Sequence, residues 1–527
     1  MPTYKPLEIE VSDFGPIARA KVELRPLTVF VGPSNTGKSY LAMLIYALHH
    51  SAGTFGYSRL GQASHIRRLF SYRLGWALRE RDELLSDNDV SAVLDWGTDI
   101  ASRIAEKKHP SGFPIQVSDR VAKVIIPMLV DKEILFSELE KEIARCFGVE
   151  DTAKLKRNGS PNDSRVKLVR RMRNDTGPPD PLSYDFQISG EGQIYSGSIL
   201  DSAPILIRED EARLWNWEDL TEPISSIGLP RRHESLERRR RATAILSDLF
   251  ESIASLMIDP INRMAHYLPA DRAGVMHAHR IVVQSLVQRS SRAALQREEP
   301  LPALSGVLAD FLEQLIGLGD LPALERKEDW DLPHRLEGDI LGGKVHEKQS
   351  ATGYPIFSYQ PAGSKDEIPL MRTSSMVSEL APVVLYLRHL VQSGDMLIIE
   401  EPESHLHPGM QAEFTRQLAA VVRAGVRVII TTHSDYVLEE LANLVRMSEL
   451  PESQQAGLEG AEFALEPEEV GVWLFEPKKR PKGTVVKEIK LDTDSGSFPA
   501  GYGDVTEALY NEWVEIESRI VENKPNP

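Results

Sequence analysis

Apolar and polar residues follow distinct rhythms along this chain. Residues 7–11 and 17–24 alternate apolar with polar positions, as half-buried strands do, and Asp13-Phe14-Gly15-Pro16 between them reads as the turn. The continuous apolar run Leu27-Thr28-Val29-Phe30-Val31 follows, a further strand, and after a polar loop a helical pattern extends from residue 40 to residue 50. From about residue 51 to residue 265 the period lengthens. Residues 66–74, 121–147 and 242–266 are amphipathic at helical spacing, divided by polar, Pro- and Gly-containing segments at 158–162 and 176–182. No a/d heptad is sustained there, which favours a compact helical insertion over a coiled-coil arm. A helical piece spans 304–316, and strand character returns around 340–345 and 355–359, with Ala362-Gly363-Ser364-Lys365 as a turn. The pattern then alternates regularly. A helix carries Leu380, Val383, Val384, Leu387, Leu390 and Val391, and the apolar strand Met396-Leu397-Ile398-Ile399 follows. A helix with Phe414, Leu418, Val421 and Val422 then leads into the strand Val426-Arg427-Val428-Ile429-Ile430. An α/β fold is expected.

Chemistry-bearing residues sit at the junctions of these elements. Between the third strand and the first helix, Gly32-Pro33-Ser34-Asn35-Thr36-Gly37-Lys38-Ser39 fits G-x-x-x-x-G-K-[ST] in full. Strand, Gly-rich loop and helix is the order that phosphate binding requires. Gly32 and Gly37 let the backbone curl so that its N–H groups face phosphate oxygens at the positive end of a helix dipole. Lys38 supplies a point charge and Ser39 a hydroxyl for Mg²⁺, with Tyr40 next to them in the binding set. Phe14, close in sequence to this loop, has two readings, a stacking partner for adenine and a turn aromatic plugging the core; the second is preferred.

The strand ending at Ile399 delivers Glu400 and Glu401 at its C-terminal end, where ligands bind in an open parallel sheet. Glu400 is placed to hold Mg²⁺ and its waters, and Glu401 to orient or deprotonate an attacking water. His433, in Thr431-Thr432-His433-Ser434 just past the next strand, is placed to contact a γ-phosphate. Ser374 and Ser375 directly precede a helix, which suits an anion at its N-terminus and equally suits plain capping.

Composition narrows the class. The 527 residues are 41% hydrophobic and 26% charged, an ordinary globular balance with room for roughly two to four domains. A net charge of −17 argues against a basic surface over the whole protein. Two local basic clusters remain as candidates for nucleic-acid phosphates or an acidic partner, or as solvated faces: Arg165, Lys167, Arg170, Arg171 and Arg173, then Arg231, Arg232 and Arg238 to Arg241. Cys146 is the single cysteine, so intrachain disulfides and multi-cysteine zinc sites are excluded and a reducing cytoplasm is expected. No apolar run reaches about 18 residues, and the start Met1-Pro2-Thr3-Tyr4-Lys5 has no apolar stretch, so no membrane association is expected.

Taken in order, the strand-loop opening, Gly32 to Ser39, Ser374 to Glu379, Ile398-Ile399-Glu400-Glu401-Pro402-Glu403 and Thr431-Thr432-His433-Ser434 resemble the head of an ABC-type ATPase. More narrowly, three features look like the bacterial OLD-like (overcoming-lysogenization-defect) ATPases, relatives of DNA-repair and chromosome-maintenance ABC ATPases. These are Glu401-Pro402-Glu403 with Leu406-His407-Pro408, the element Leu268-Pro269-Ala270-Asp271-Arg272, and the Gly342-Gly343 hairpin. The resemblance covers residues 5–50 and 265–450. It implies an ABC-type P-loop ATPase head with a mixed β-sheet and a large mainly helical insertion. The division would be 1–50 and 266–450 for the two parts of the head, 51–265 for the insertion and 451–527 for a C-terminal extension of strand and helix.

The resemblance further implies ATP and Mg²⁺ sandwiched between two heads in a homodimer or higher homo-oligomer. Lys38 and Ser39 would bind phosphate and Mg²⁺, Glu400 would take the Walker B acid's place, Glu401 would be the base and His433 the switch histidine. Ser374 and Ser375 would reach ATP on the other head. The implied role is a sensor or switch in defence against foreign DNA or in DNA maintenance, working with a separately encoded effector. A clamp holding duplex DNA with slow ATP-dependent dimerisation is the alternative. Three positions depart from the pattern: Glu400 replaces the usual Asp, Met376 stands where the general signature has Gly, and His407 stands near the D-loop Asp. Many OLD proteins also carry a Toprim nuclease. None is expected here, because Asp492-Thr493-Asp494 reads as a turn before Gly496.

Overall fold

Among the described residues eleven strands form one mixed sheet. The computed structural model describes residues 7–53, 132–170, 182–199, 263–278, 304–318, 330–349, 355–455, 457–492 and 496–499, with short pieces elsewhere. In chain order the principal elements begin with β1 (Leu7–Phe14), β2 (Ile17–Leu24), β3 (Leu27–Val31), α1 (Lys38–Gly53), α2 (Lys132–Phe147), β4 (Ser164–Arg170), β5 (Leu182–Ile188), β6 (Ile194–Ile199), β7 (Ala265–Leu268) and α3 (Gly306–Gly317). They continue with β8 (Gly343–Gln349), β9 (Pro355–Pro361), α4 (Ser375–His389), β10 (Met396–Glu400), α5 (Pro408–Arg423), β11 (Arg427–Thr432), α6 (Asp435–Ser448), β12 (Val470–Lys479) and β13 (Lys482–Ile489). Across the sheet the order is β6-β5-β4-β1-β2-β13-β12-β3-β11-β10-β7. β8 and β9 form a separate hairpin.

All five residues of β3 and all five of β10 are buried, which explains why both read as unbroken apolar runs. Their period of two divides them between two cores. Leu27, Val29, Val31, Leu397 and Ile399 pack with Leu380 and Val384 of α4, Phe414 of α5 and Leu441 of α6. Phe30, Met396 and Ile398 face the opposite core with Leu41 and Ile45 of α1 and Ile143 of α2. Each such side chain removed from water stabilises the fold by about 1.5–3 kcal/mol. The sheet is thus a layer between helices, and its strand ends are the exposed rims.

Register aligns those ends. β3 pairs parallel with β11 so that Val31 lies opposite Thr432, β11 pairs with β10 so that Thr431 lies opposite Glu400, and β10 pairs with β7 so that Ile399 lies opposite Leu268. The residues that follow each strand therefore emerge side by side.

Two regions depart from the sequence reading. The described part of 51–265 holds α2 and also β4, β5 and β6, and β4 pairs antiparallel with β1 from Leu7↔Arg170 to Ser12↔Arg165. Val166 and Leu168 point into the core, a period of two within the first basic cluster. The amphipathic stretches at 66–74 and 242–262 and the second basic cluster lie outside the described residues. The C-terminal extension departs more sharply. β12 inserts into the head sheet, parallel to β3 with Leu474 opposite Val31, and β13 connects it to β2.

Smaller differences are local. Residues 336–341 form a π-helical turn closed by Gly342 at φ 62°, so the strand expected from residue 340 starts at Gly343. Phe14 is fully buried, its ring 6.2 Å from Tyr40 and 5.5 Å from Phe147, so it plugs the core. Asp492 takes part in a turn, accepting the Gly496 N–H at 2.8 Å, while Asp494 lies outside the described residues. Among the described residues no helix is long and apolar enough to cross a membrane.

Candidate phosphate-binding and hydrolysis site

The loop from Gly32 to Ser39 leaves the rim of β3 and turns into α1. Gly32 has φ 138°, and a Cβ there would stand 2.6 Å from the Phe475 carbonyl oxygen of β12, so neither the conformation nor the space admits a side chain. Gly37 at φ 97° lies equally close to Pro16, and Asn35 also takes the left-handed region at φ 62°. Pro33, Ser34, Asn35 and Ser39 are exposed, while Thr36 is buried and holds the curl by donating to the Pro33 carbonyl at 2.8 Å. Tyr40 is half-buried, its ring set against Gly15 and Phe147, a place in the wall behind the loop.

Lys38 is buried, and its Nζ donates to the carbonyls of Gly32 at 2.8 Å and Pro33 at 2.9 Å. Burial pushes its ammonium down to about 8, opposed by the charges of Glu401, Glu403 and Glu400. Those three carboxylates identify what faces it from the next strands.

Glu400 ends β10 inside the rim. Burial raises its carboxyl above the ordinary range, while the Ser39 hydroxyl, the Ala270 N–H at 3.2 Å and the Tyr267 hydroxyl work against that. One of its oxygens, Oε1, is buried with no hydrogen bond of good geometry. A buried carboxylate oxygen short of a partner beside the loop's serine hydroxyl is a hard-oxygen donor set that suits Mg²⁺. Glu401 has φ 42°, an uncommon conformation for a residue with a side chain, and its N–H donates to the Thr431 carbonyl at 3.0 Å. Its Oε1 lies 3.7 Å from His433 Nε2. Burial and then Lys38 lower the His433 pKa against the pull of Glu401, so the ring is neutral near pH 7.

Ser374 and Ser375 stand elsewhere, exposed at the start of α4, where Ser374 Oγ caps the helix by accepting the Val377 N–H at 3.4 Å. Met376 packs against the core beneath them. His407 caps α5 through Nδ1, which accepts the Gly409 N–H.

Two residues of the site were not assigned a role from sequence. Glu403 is half-buried, and its Oε1 accepts both the Thr432 hydroxyl and the His433 N–H at 2.7 Å, fixing the backbone that carries His433. Arg272 is fully buried and bonds to the backbone at both Glu400 and Glu401. Each stood inside a motif quoted above, yet only the fold brings it against the rim. A further cluster, His50, Glu142 and Asp310, has its donor atoms within 4.8 Å of one another, but Arg145 bridges the two carboxylates at 2.6 and 2.7 Å, so the lone pairs a metal would use are already engaged.

Residues 293–438 match the family model described as "AAA ATPase domain". No curated protein matches the chain. Among solved structures, it is similar at 10% identity to an SMC head bound to the C-winged-helix domain of ScpA, with a TM-score of 0.36 and coverage of 93% of this chain and 98% of that one. A likeness of the same order, with a TM-score of 0.32, 10% identity and coverage of 93% and 100%, holds for the SMC head domain from Thermotoga maritima. The matched segment from 293 to 438 includes α4, Glu400, Glu401 and His433, so the half of the site distant in sequence from the phosphate loop is the half that carries an AAA-type ATPase signature.

Proposed function

We propose that this chain is an ABC-type ATPase head of the OLD-like kind, which binds ATP and hydrolyses it. The observation that carries the reading is the convergence of Lys38, Glu400, Glu401 and His433 at one rim, although hundreds of residues separate the first from the others. The backbone N–H groups of the loop and the Lys38 ammonium bind the triphosphate, and Ser39 and Glu400 hold Mg²⁺. When bound, the ion offsets charge on the phosphate oxygens. Glu401 orients the attacking water and accepts its proton, and neutral His433, 3.7 Å from it, donates toward the γ-phosphate. Ser374 and Ser375 meet the nucleotide of a second head, so the active form is a homodimer or larger assembly. Hydrolysis then serves as a switch in defence against foreign DNA or in DNA maintenance, read out by a separate effector.

The clamp reading loses part of its motive. Arg165 is ion-paired with Asp185, and Lys167 lies in register between Glu10 and Asp185, so these basic residues are matched by carboxylates within the sheet. The test of the main reading is Mg²⁺-dependent phosphate release from ATP by the purified full chain. Lys38→Ala is expected to lower it steeply, and Glu401→Gln to bind ATP with little turnover and to enrich an ATP-dependent oligomer. Wild-type rates in both variants overturn the reading.

A further inference from the structure

We infer that Arg272 is a positioning residue that ties the backbone of Glu400 and Glu401 to helix α4, so that a displacement at the start of α4 reaches the backbone of Glu401. The inference rests on the hydrolysis reading above.

Arg272 is 0% exposed and leads the largest fully buried side chains among the described residues. Burying a guanidinium is costly and is tolerated where every donor finds a partner. Here Nε donates to the Glu379 carbonyl at 3.0 Å and pairs with Glu379 Oε2 at 3.1 Å. Nη1 donates to the carbonyls of Glu400 at 2.7 Å and Pro269 at 3.2 Å, and Nη2 to that of Glu401 at 3.3 Å. An apolar side chain would fill the same space without the desolvation penalty, so the charge has a purpose other than filling. Three elements meet on one rigid fork, which a lysine with a single nitrogen cannot span.

The partners indicate what is being held. Glu401 sits at φ 42°, a conformation that persists only where the surroundings over-determine it. Its N–H is fixed on Thr431 and its carbonyl on Arg272, so both flanking peptides are anchored. On the other side, Glu379 lies one turn into α4, behind the exposed Ser374 and Ser375. A second contact parallels the first: His277 Nε2 lies 3.0 Å from Ser378 Oγ, so the segment that begins at Arg272 touches α4 twice. A continuous chain of bonds thus runs from the first turn of α4 through Glu379 and Arg272 to the main-chain carbonyls of Glu400 and Glu401.

The experiment compares wild type, Arg272→Lys, Arg272→Met combined with Glu379→Leu, and Glu379→Gln in the full chain. The readouts are kcat and KM for ATP with Mg²⁺, the Kd of a fluorescent ATP analogue, and the thermal midpoint. Loss of positioning is expected to lower kcat about tenfold or more in Arg272→Lys. Analogue Kd should stay within about twofold, which separates lost transition-state geometry from lost binding. The double substitution leaves no unpaired buried charge and should show the same split, and Glu379→Gln, which touches no phosphate-facing side chain, a smaller fall in kcat alone. Variants with kcat unchanged, or with changes confined to Kd and thermal midpoint, overturn the inference. Absence of turnover in the wild type instead sinks the hydrolysis reading and the strut with it.

Discussion

In the parallel half of the sheet, β12, β3, β11, β10 and β7 run in one direction, so five C-terminal ends fall along one rim. In the antiparallel half, β6, β5, β4, β1 and β2 alternate, and strand ends are shared between two rims. Both halves have apolar interiors of similar character, so burial does not distinguish them. Direction does. On the parallel side the glycine-rich loop, Glu401, His433 and Arg272 all emerge just past a strand end, with Lys38, Glu400 and Arg272 buried and Glu401 and His433 half-buried. On the antiparallel side charge is paired across neighbouring strands: Lys21 contacts Glu8 at 2.9 Å and Glu10 at 2.8 Å, and Arg165 pairs with Asp185. Such cross-strand pairs stabilise a sheet modestly and leave nothing convergent. A shared rim is what brings ordinary acids and bases together as a candidate site.

The largest effect is expected where that rim is stripped of a charge. Lys38→Ala should lower ATP turnover by about 10²–10³-fold, the loss typical of one preorganised electrostatic group, with little change in thermal midpoint. Glu401→Gln should cost about 10²–10⁴-fold, as for a general base, while retaining ATP binding. Phosphate release and analogue titration decide both, and a turnover within about twofold of wild type in either would erase the contrast between the halves.

Next in size is the packing behind the loop. Gly32→Ala places a methyl 2.6 Å from the Phe475 carbonyl oxygen at φ 138°, so the loop must shift away from β12. The strain should cost about 1–3 kcal/mol in unfolding free energy. Nucleotide affinity should fall as well, because the same backbone N–H groups are displaced. Denaturant melts and a Kd measurement test this, and an unchanged Kd would mean that β12 is not part of the loop's support.

The rim also carries a pH signature. Lys38 is charged below its pKa of about 8 in the free protein, so the phosphate-binding form is lost as pH rises through that value. Because kcat/KM reports the free enzyme, it should fall about tenfold per unit at pH above about 8, while kcat, measured with triphosphate holding the ammonium charged, should fall less. A kcat/KM profile flat to pH 10 would show that burial does not depress Lys38.

Much of the parallel half was legible in the sequence because its signals are local. The loop announces itself by two glycines that need positive φ, and Glu400-Glu401 and His433 each follow an apolar run of strand length. The structure sets that loop, Glu400, Glu401 and His433 along one rim, and each of them stands in a short segment that sequence displays by itself. What sequence hid was pairing. Nothing in Val470-Gly471-Val472-Trp473-Leu474-Phe475 says which strand it borders, and only the fold sets Phe475 against Gly32. Arg272 was visible as part of a motif, but a guanidinium serving three elements is a tertiary fact. In the antiparallel half, Arg165 to Arg170 drew attention as charge while Val166 and Leu168, the core-facing partners that make β4 a strand, did not.

The smallest effect is expected at Arg165. Its side chain is 52% exposed and paired with Asp185 across β4 and β5, so truncation to alanine should cost only about 0.2–1 kcal/mol of stability. ATP turnover should be unchanged, since β1, β2, β13 and β12 separate β4 from β3 in the sheet and the Arg165 guanidinium is engaged by Asp185. The assay is the same phosphate release measured beside Lys38→Ala. If Arg165→Ala lowered turnover tenfold while the thermal midpoint held, charge on the antiparallel half would have to reach the site through β1 and β2, and direction alone could no longer explain why one rim acts and the other does not.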